Sequence, residues 1–247
     1  MLTDIFTVFW RDWVVLKRRL TKFILSRMVA PLLYLVAFGW GLGRSITLTG
    51  GGSYLDFMVP GLMALNSMNI AFNSVTPIHA ERVYHGSLEE YILAPIRPIS
   101  FLLGKMLSAI MRALISSVII FILATIFGAS VTLSPLFIFV LVLNSLIFAE
   151  IGFIAAMKIS TYEEMAQVNT YVLLPMSFLC GTFFSAKALP PIVSQIVELL
   201  PLTHASSLLR TLGGGGSLDL ISLGVMLLYA AIFFIAAKIS FASATDN

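Results

Sequence analysis

Residues 136–157 read LFIFVLVLNSLIFAEIGFIAAM, and the only charged side chain among them is Glu150. A helix rises about 1.5 Å per residue, so about 20 mostly apolar residues are needed to cross the ~30 Å hydrocarbon core of a membrane. The stretch is long enough and apolar enough to do so. It therefore predicts a membrane-spanning helix.

The rest of the chain has the same character. Of its 247 residues, 59% are hydrophobic and 11% are charged, and the mean hydropathy is +0.99. An ordinary soluble domain has about a quarter charged residues and about 45–50% apolar ones, so the composition excludes that class and also excludes disordered and collagen-like chains. We predict an all-α integral membrane protein that forms one domain over residues 1–247. Its six predicted spans are about 22–43, 57–80, 105–127, 136–157, 165–185 and 218–237.

Residues 4–20 predict an amphipathic helix that lies along the membrane surface. At about 100° per residue, Phe9 and Trp13 share one face with other apolar side chains, whereas Arg11 and Arg18 fall on the opposite face. Aromatic residues on one side and basic residues on the other are typical of an interfacial helix. The alternative, a helix packed on a soluble core, is weak because the chain has little soluble core.

Residues 188–212, between the last two predicted spans, are apolar but interrupted by prolines. Pro190, Pro191 and Pro201 divide them into two helical pieces. Each piece is well short of the ~20 residues that a crossing needs. We therefore predict two re-entrant helices, which dip into the membrane surface and return.

The basic residues indicate the orientation. Six crossings place both termini on one side, and cytoplasmic loops carry an excess of Lys and Arg. Of the 15 basic residues, only Arg44, Lys187 and Arg210 fall on the side opposite the amino terminus, which leaves twelve on the amino-terminal side. Both termini are therefore predicted to be cytoplasmic.

No catalytic or metal-binding constellation stands out in the sequence. His79, His85 and His204 have no carboxylate or second histidine at the spacing of a metal site, and the single cysteine, Cys180, excludes an intrachain disulfide. A phosphate-binding Walker A loop is also missing. We expect no catalytic residue, no metal and no cofactor in this chain, and the formal charge of +3 is too small to indicate nucleic acid.

The segment between the second and third predicted spans carries the most specific pattern. Residues 81–98 read ERVYHGSLEEYILAPIRP, in which apolar and charged residues alternate at helical spacing before Pro95 and Pro98. We predict a short exposed helix over 82–93 that fits into a groove of a partner protein; the alternative is a solvated connector. The candidate docking residues are Arg82, Tyr84, Gly86, Leu88, Glu89 and Glu90.

Polar side chains inside the predicted spans are the next candidates. Asn66, Asn69 and Asn73 share one helix face. They could line a transport path, or they could hydrogen-bond neighbouring helices. Arg112 and Glu150 lie at the same predicted depth, roughly 21–23 Å below the outer boundary of the membrane core. They are predicted to pair, with separate snorkelling to the cytoplasmic interface as the alternative.

Three stretches resemble the motifs of type-2 ATP-binding-cassette exporter permeases, and together they extend over essentially the whole chain. The first is Tyr84-x-Gly86-x-x-Glu89, followed by Ala94-Pro95 and Gly104-Lys105. The second is LCGTFFSAKALPPIVSQIVELLPLTHASSLLR, residues 179–210, and the third is APLLYLVAFGWGLG, residues 30–43. In the second stretch the matching positions include Gly181, Phe184, Pro190, Pro201, His204 and Arg210.

The resemblance implies a fold with an interfacial helix, six spans and re-entrant helices after the fifth. It also implies a homodimer in the bacterial inner membrane, surrounded by lipid, with two copies of a cytoplasmic ATPase that binds ATP and Mg. The helix at 82–93 would be the coupling helix that docks in that ATPase. The implied substrates are amphiphiles, such as a lipid-linked glycan, a lipo-oligosaccharide or a drug. From the residues alone, a secondary transporter or channel without an ATPase and a membrane-embedded lipid-modifying enzyme remain open.

Overall fold

The computed structural model describes residues 1–42, 53–84, 96–183 and 190–245. Every regular element among these residues is a helix, which confirms the all-α prediction. The first half contains α1 (Leu2–Arg18), α2 (Leu20–Tyr34), α3 (Tyr54–Val75), α4 (Pro77–Val83) and α5 (Pro98–Ile126). The second half contains α6 (Pro135–Lys158), α7 (Tyr162–Val168), α8 (Leu174–Leu179), α9 (Pro191–Glu198), α10 (Pro201–Gly213) and α11 (Leu220–Thr245). Two π-helical segments, Leu35–Leu42 and Asn169–Leu173, extend α2 and join α7 to α8.

Within the described residues, five helical stretches are long and apolar enough to cross a membrane. They are Leu20–Gly39, Tyr54–Val83, Pro98–Ile126, Pro135–Lys158 and Leu220–Ser243. They correspond to the predicted first, second, third, fourth and sixth spans.

Two regions have other geometries. Helices α9 and α10 meet at 89° and pass the same test only as a pair, either as one broken span or as a re-entrant loop. The predicted fifth span is helical from α7 through the π-helical segment to α8, but it is not among the five stretches. A crossing by residues 165–185 and the re-entrant path of α9 and α10 stay predictions.

Prolines begin helices in this protein more often than they end them. Pro98 is the first residue of α5, so the third span starts seven residues before the predicted position, Lys105. Proline fits there because the first helical N–H has no partner within the helix, and the ring fixes the backbone angle that the helix needs. Pro77, Pro135 and Pro201 occupy the same position in α4, α6 and α10.

Helix α3 is the centre of the fold. It packs against α5, α6 and α10, and 78% of the apolar window in Tyr54–Val83 is buried, compared with 11% in Leu20–Gly39 and 22% in Leu220–Ser243. The helices α2 and α11 therefore lie at the periphery, with most of their apolar surface exposed.

Helix α1 packs across the start of α5. Val8 is 3% exposed, and a Cβ atom on Gly104 would lie 2.7 Å from the Val8 side chain, so only glycine allows this approach. The carboxylate of Asp12 lies 3.3 Å from Nζ of Lys105 on α5. These contacts hold α1 against the bundle, and its position on the membrane surface stays a prediction.

Candidate functional site

Three rings meet where α4 ends and α7 begins. Tyr84 stacks on Tyr162 with ring centroids 4.5 Å apart and planes 8° apart. The edge of His79 faces both rings, at 5.9 Å from Tyr84 and 5.4 Å from Tyr162. Beside them, Arg82 donates a hydrogen bond to the backbone carbonyl of Ile159. We call these five residues the basal cluster, and they tie the chain that leads into residues 85–95 to the turn between α6 and α7.

The basal cluster contains two of the candidate docking residues. Arg82 lies in the last turn of α4, which continues the second span to Val83, and Tyr84 follows it. The helix predicted over 82–93 therefore does not begin at Arg82. Four other candidates, Gly86, Leu88, Glu89 and Glu90, lie outside the described residues.

Tyr162 and His79 were missed by the sequence analysis. Next to Tyr162, the one local signal is Thr161, whose side chain accepts a hydrogen bond from the backbone N–H of Glu164 and caps the start of α7. That signal places a helix start, but it says nothing of a contact with Tyr84. His79 carries no local signal, and one of its two ring partners, Tyr162, comes from another helix.

Two asparagines join helices through the middle of the bundle. Nδ2 of Asn66 lies 2.6 Å from Oγ of Ser116 on α5. Nδ2 of Asn144, on α6, donates to the carbonyl of Ala64 at 3.0 Å and to Oγ of Ser67 at 2.8 Å. Polar side chains buried among apolar helices need such partners. For Asn66, the structure therefore has the interhelical hydrogen bond that was one of the two interpretations.

The other two asparagines of the predicted stripe bond only their own helix among the described residues. Asn69 donates to the carbonyl of Leu65 at 3.1 Å, and Asn73 donates to that of Asn69 at 2.8 Å. Asn69 also lines a groove of about 350 Å³ between α2, α3 and the α7–α8 segment, which we call the central groove. Its other lining residues include Tyr34, Asn169, Thr170, Ser177, Phe178 and Phe183. Amide and hydroxyl groups alternate there with aromatic and aliphatic side chains.

Arg210 on α10 fastens the bent helix pair to the bundle. Its Nε lies 3.0 Å from the carbonyl oxygen of Phe57, and its Nη2 donates to the carbonyls of Gly181 and Thr182, the latter at 3.0 Å. The guanidinium carbon also stands 3.9 Å from the centre of the Phe57 ring, a cation–π contact. Gly181 turns the chain with φ of +77°, which only glycine adopts easily. Arg210 therefore joins the start of α3, the turn after α8 and α10.

The other described residues of the predicted re-entrant motif belong to α9 and α10 or to their ends. Pro190 precedes α9, Pro201 begins α10, and Phe184 lies outside the described residues. Both ring nitrogens of His204 have a partner. Nε2 donates to the carbonyl oxygen of Glu198 at 2.8 Å, and Nδ1 lies 3.3 Å from Oγ of Ser222.

A polar pocket of about 270 Å³ lies beside Arg210. Its lining includes Glu198, His204, Ser206, Arg210, Asp219 and Ser222. Two carboxylates and one guanidinium give it no single sign of charge. Among the described residues, no group of three or more His, Cys, Asp or Glu side chains could hold a metal ion.

Arg112 and Glu150 do not meet in the structure. Glu150 is fully buried, and both of its carboxylate oxygens lack a hydrogen-bond partner among the described residues. Among the described residues, neither Arg112 nor Glu150 has an oppositely charged side chain within 4.0 Å. The predicted pair is not formed, because equal depth does not fix the direction of a side chain, and each residue along a helix turns by about 100°.

The sequence was compared with known proteins. The sequence profile of the ABC-2 type transporter family matches residues 3–212. Nodulation protein J of Neorhizobium galegae is 27% identical over 234 residues, which cover 93% of this chain and 89% of that protein. Nodulation protein J of Rhizobium leguminosarum bv. trifolii is 28% identical over 205 residues, 82% of this chain and 78% of that protein. Inner membrane transport permease YadH of Escherichia coli strain K12 is 25% identical over 237 residues, 90% of this chain and 93% of that protein.

Proposed function

Because this chain belongs to the ABC-2 type transporter family, and is therefore a permease subunit of an ABC transporter, we propose that it works in an exporter of the bacterial inner membrane. A separate cytoplasmic ATPase binds ATP and Mg and drives it, and two copies of the chain form the transport unit. Both termini are cytoplasmic. The permease supplies a path and performs no covalent chemistry.

The observation that carries this proposal is the extent of the family match. Residues 3–212 include α1, the central groove, the basal cluster and the bent pair α9–α10. The basal cluster, the central groove and the contacts of Arg210 therefore lie inside the matched region, whereas Asp219 and Ser222 of the polar pocket lie beyond it. The name of the permease from Escherichia coli supports an inner-membrane location for the present chain.

The basal cluster supports a role for residues 85–95 in coupling. Those residues follow directly on Tyr84, whose ring stacks on Tyr162 of α7. A force applied to the segment would reach α7 through the stacked rings and would reach the α6–α7 turn through Arg82. Since the π-helical segment and α8, which continue from α7, line the central groove, movement of the ATPase would change the shape of that groove.

The central groove supports a path for amphiphiles that is closed by a second copy of the chain. Its lining combines amide and hydroxyl groups with aromatic rings, which suits a molecule with a polar head and an apolar body. Its lining residues Leu174 and Phe178 are 51% and 52% exposed, and the neighbouring Tyr171 is 71% exposed. A second copy would cover these apolar side chains and turn an open groove into an enclosed one.

The experiment is to purify the chain with its ATPase subunit, to reconstitute the complex in liposomes, and to measure ATP hydrolysis over a panel of lipid-linked glycans, lipo-oligosaccharides and amphiphilic drugs. We expect a substrate to stimulate hydrolysis. Glu89→Lys should leave membrane insertion intact and abolish the stimulation, because it reverses a charge on the proposed docking surface. Asp246→Lys, a reversal in the carboxyl-terminal tail, is the control and should change nothing.

A chain that purifies without any ATPase and transports substrate without ATP would contradict the proposal and would favour a secondary transporter or channel. Normal assembly and coupling of Glu89→Lys would contradict the docking assignment alone.

A further inference from the structure

We propose that α5, on the side where it meets α1 and α2, holds one anionic phospholipid of the cytoplasmic leaflet. An acyl chain lies in an apolar groove, and the phosphate lies between Arg27 and Arg112. The groove has a volume of about 620 Å³ and lies where α1 and α2 meet α5. Every residue that lines it is apolar, including Phe9, Ile24, Leu107, Leu114, Val118 and Ile122. We call it the lateral groove.

The length of the lateral groove suits a lipid chain. Its lining on α5 extends from Leu107 to Ile122, a rise of about 22 Å along the helix axis. It therefore runs along the membrane normal over much of the ~30 Å hydrocarbon core. Val118 and Ile122 are 54% and 53% exposed, so the groove is open on its membrane side.

Two arginines are close neighbours in sequence of residues that line the lateral groove. Arg27 lies one helical turn after Ile24 on α2, and Arg112 lies on α5 between the lining residues Met111 and Leu114. Side chains on a helix tilt toward its amino terminus. The guanidinium of Arg112 is thereby directed toward the start of α5, which is the cytoplasmic end in the proposed orientation.

The charges around these arginines do not balance. The negative charge of Asp12 acts on the Arg112 guanidinium. The Asp12 carboxylate, however, already lies 3.3 Å from Nζ of Lys105. Among the described residues, neither Arg27 nor Arg112 has a carboxylate within 4.0 Å. Nε of Arg112 is buried without a hydrogen-bond partner in the described part of the chain. In the described part of the chain neither guanidinium is therefore paired with a carboxylate, and a bound anion would supply the opposite charge.

A phospholipid phosphate is the occupant that fits both features. Arginine matches phosphate with paired N–H donors, and basic pockets between helices on the cytoplasmic side bind anionic lipid head groups. A second protein chain would supply apolar surface but would not by itself supply the missing negative charge. A free phosphate ion would supply the charge but would leave the lateral groove empty.

The test uses the full chain, purified in detergent and equilibrated with equal amounts of dioleoyl-phosphatidylglycerol and dioleoyl-phosphatidylcholine, with bound lipid counted by native mass spectrometry. We expect the wild-type chain to retain the anionic lipid preferentially. Each of Arg27→Gln and Arg112→Gln should lower that preference about fivefold, as expected for one basic residue near an anionic lipid surface. Lys158→Gln, at the exposed end of α6, is the matched control and should retain the wild-type preference.

Two further variants separate the occupant from its alternatives. Arg112→Lys keeps the charge and should hold the preference within about twofold, which also covers the case in which a neutral variant fails to fold. Ile115→Trp places a large ring in the lateral groove and should reduce retention of both lipids. The proposal would be overturned by equal retention of the two lipids in the wild-type chain, or by an unchanged preference in both Arg27→Gln and Arg112→Gln. Full retention in Ile115→Trp, or a change of oligomeric state in place of lipid loss, would also overturn it.

Discussion

Arg210 shows how a buried cation is accommodated by backbone. Its hydrogen-bond partners among the described residues are the carbonyls of Phe57, Gly181 and Thr182, and the ring of Phe57 covers one face of the guanidinium. A planar group with five N–H donors can serve several carbonyls at once. A lysine ammonium has three donors at a single point, so it cannot replace that geometry.

We predict that Arg210→Met will lower the stability of the chain by about 3 kcal/mol or more, because hydrogen bonds to a charged group are lost and buried carbonyls are left without donors. Arg210→Lys should recover less than half of the loss. The measurement is the temperature at which half of the detergent-solubilised protein remains monodisperse. Arg18→Met, at an exposed arginine of α1, is the control, and an equal loss in that variant would contradict the role assigned to Arg210.

Glu150 is the opposite case, a buried carboxyl group whose two oxygens have no hydrogen-bond partner among the described residues. Burial of such a group without partners is unfavourable, and an apolar residue of similar volume is often better tolerated. We therefore expect Glu150→Met to raise stability by about 1–3 kcal/mol in the same assay.

The effects of Glu150→Met and Arg112→Ala should add within about 0.5 kcal/mol, because no contact joins the two residues in the structure. A coupling of more than about 1 kcal/mol between the two changes would restore the pair that the sequence predicted. If Glu150→Met gains stability but loses transport in the reconstituted complex, the carboxyl group serves function at a cost in stability.

At the scale of single residues, the sequence identified chemistry better than contacts. It singled out Asn66 as an amide side chain inside a predicted span, and Arg210 as the last matching position of the stretch that resembles the permease motifs. It did not identify their partners, since backbone carbonyls such as that of Phe57 have no signature in a sequence. It placed Arg112 and Glu150 at one depth but could not give their directions, which depend on how α5 and α6 pack.

At the scale of elements, the contact between α1 and α5 depends on one glycine. A Cβ atom on Gly104 would lie 2.7 Å from Val8 and 3.1 Å from the carbonyl oxygen of Ile5. The Val8 side chain can be shortened by substitution, whereas the Ile5 carbonyl can move only together with the backbone of α1. The position of α1 is therefore sensitive to the size of residue 104.

We predict that Gly104→Leu will displace α1 from α5 and lower stability by about 2–3 kcal/mol through overpacking. The milder Gly104→Ala should cost less stability, and Val8→Ala combined with it should restore part of the loss that Gly104→Ala causes. Protection of backbone amides in α1 from hydrogen exchange reports the displacement directly. Gly224→Leu on α11 is the matched control, since nothing lies within 4 Å of a Cβ atom at that glycine, and comparable deprotection of α1 in that variant would contradict the prediction.

The all-helical class and five of the six predicted spans were predictable from hydropathy, but several helix boundaries were not. A proline can end one helix or begin the next, and Pro98, which follows the helix predicted over 82–93, begins α5. The two π-helical segments were also unpredictable. They widen the helix locally without any residue type that marks them, and the second of them divides the predicted fifth span.

At the scale of the whole molecule, the open question of topology has a direct test. In a Cys180→Ala background, a cysteine at Thr49 should react with an impermeant thiol reagent applied to intact cells. Cysteines at Ser87 and at Asp246 should react only after permeabilisation, because six crossings and the excess of basic residues place both of them in the cytoplasm. Labelling of Asp246→Cys from outside, with Ser87→Cys protected, would show an odd number of crossings. The reverse pattern at Thr49 and Ser87 would overturn the orientation.

The close approach of Gly104 to Val8 also has an evolutionary consequence. Wherever a relative of this chain keeps α1 against α5 in the same way, a larger residue at position 104 can be accepted only alongside a smaller one at position 8. The two positions, 96 residues apart in the chain, should therefore covary among homologues. Changes at Gly224, which faces open space, should be independent of residues elsewhere.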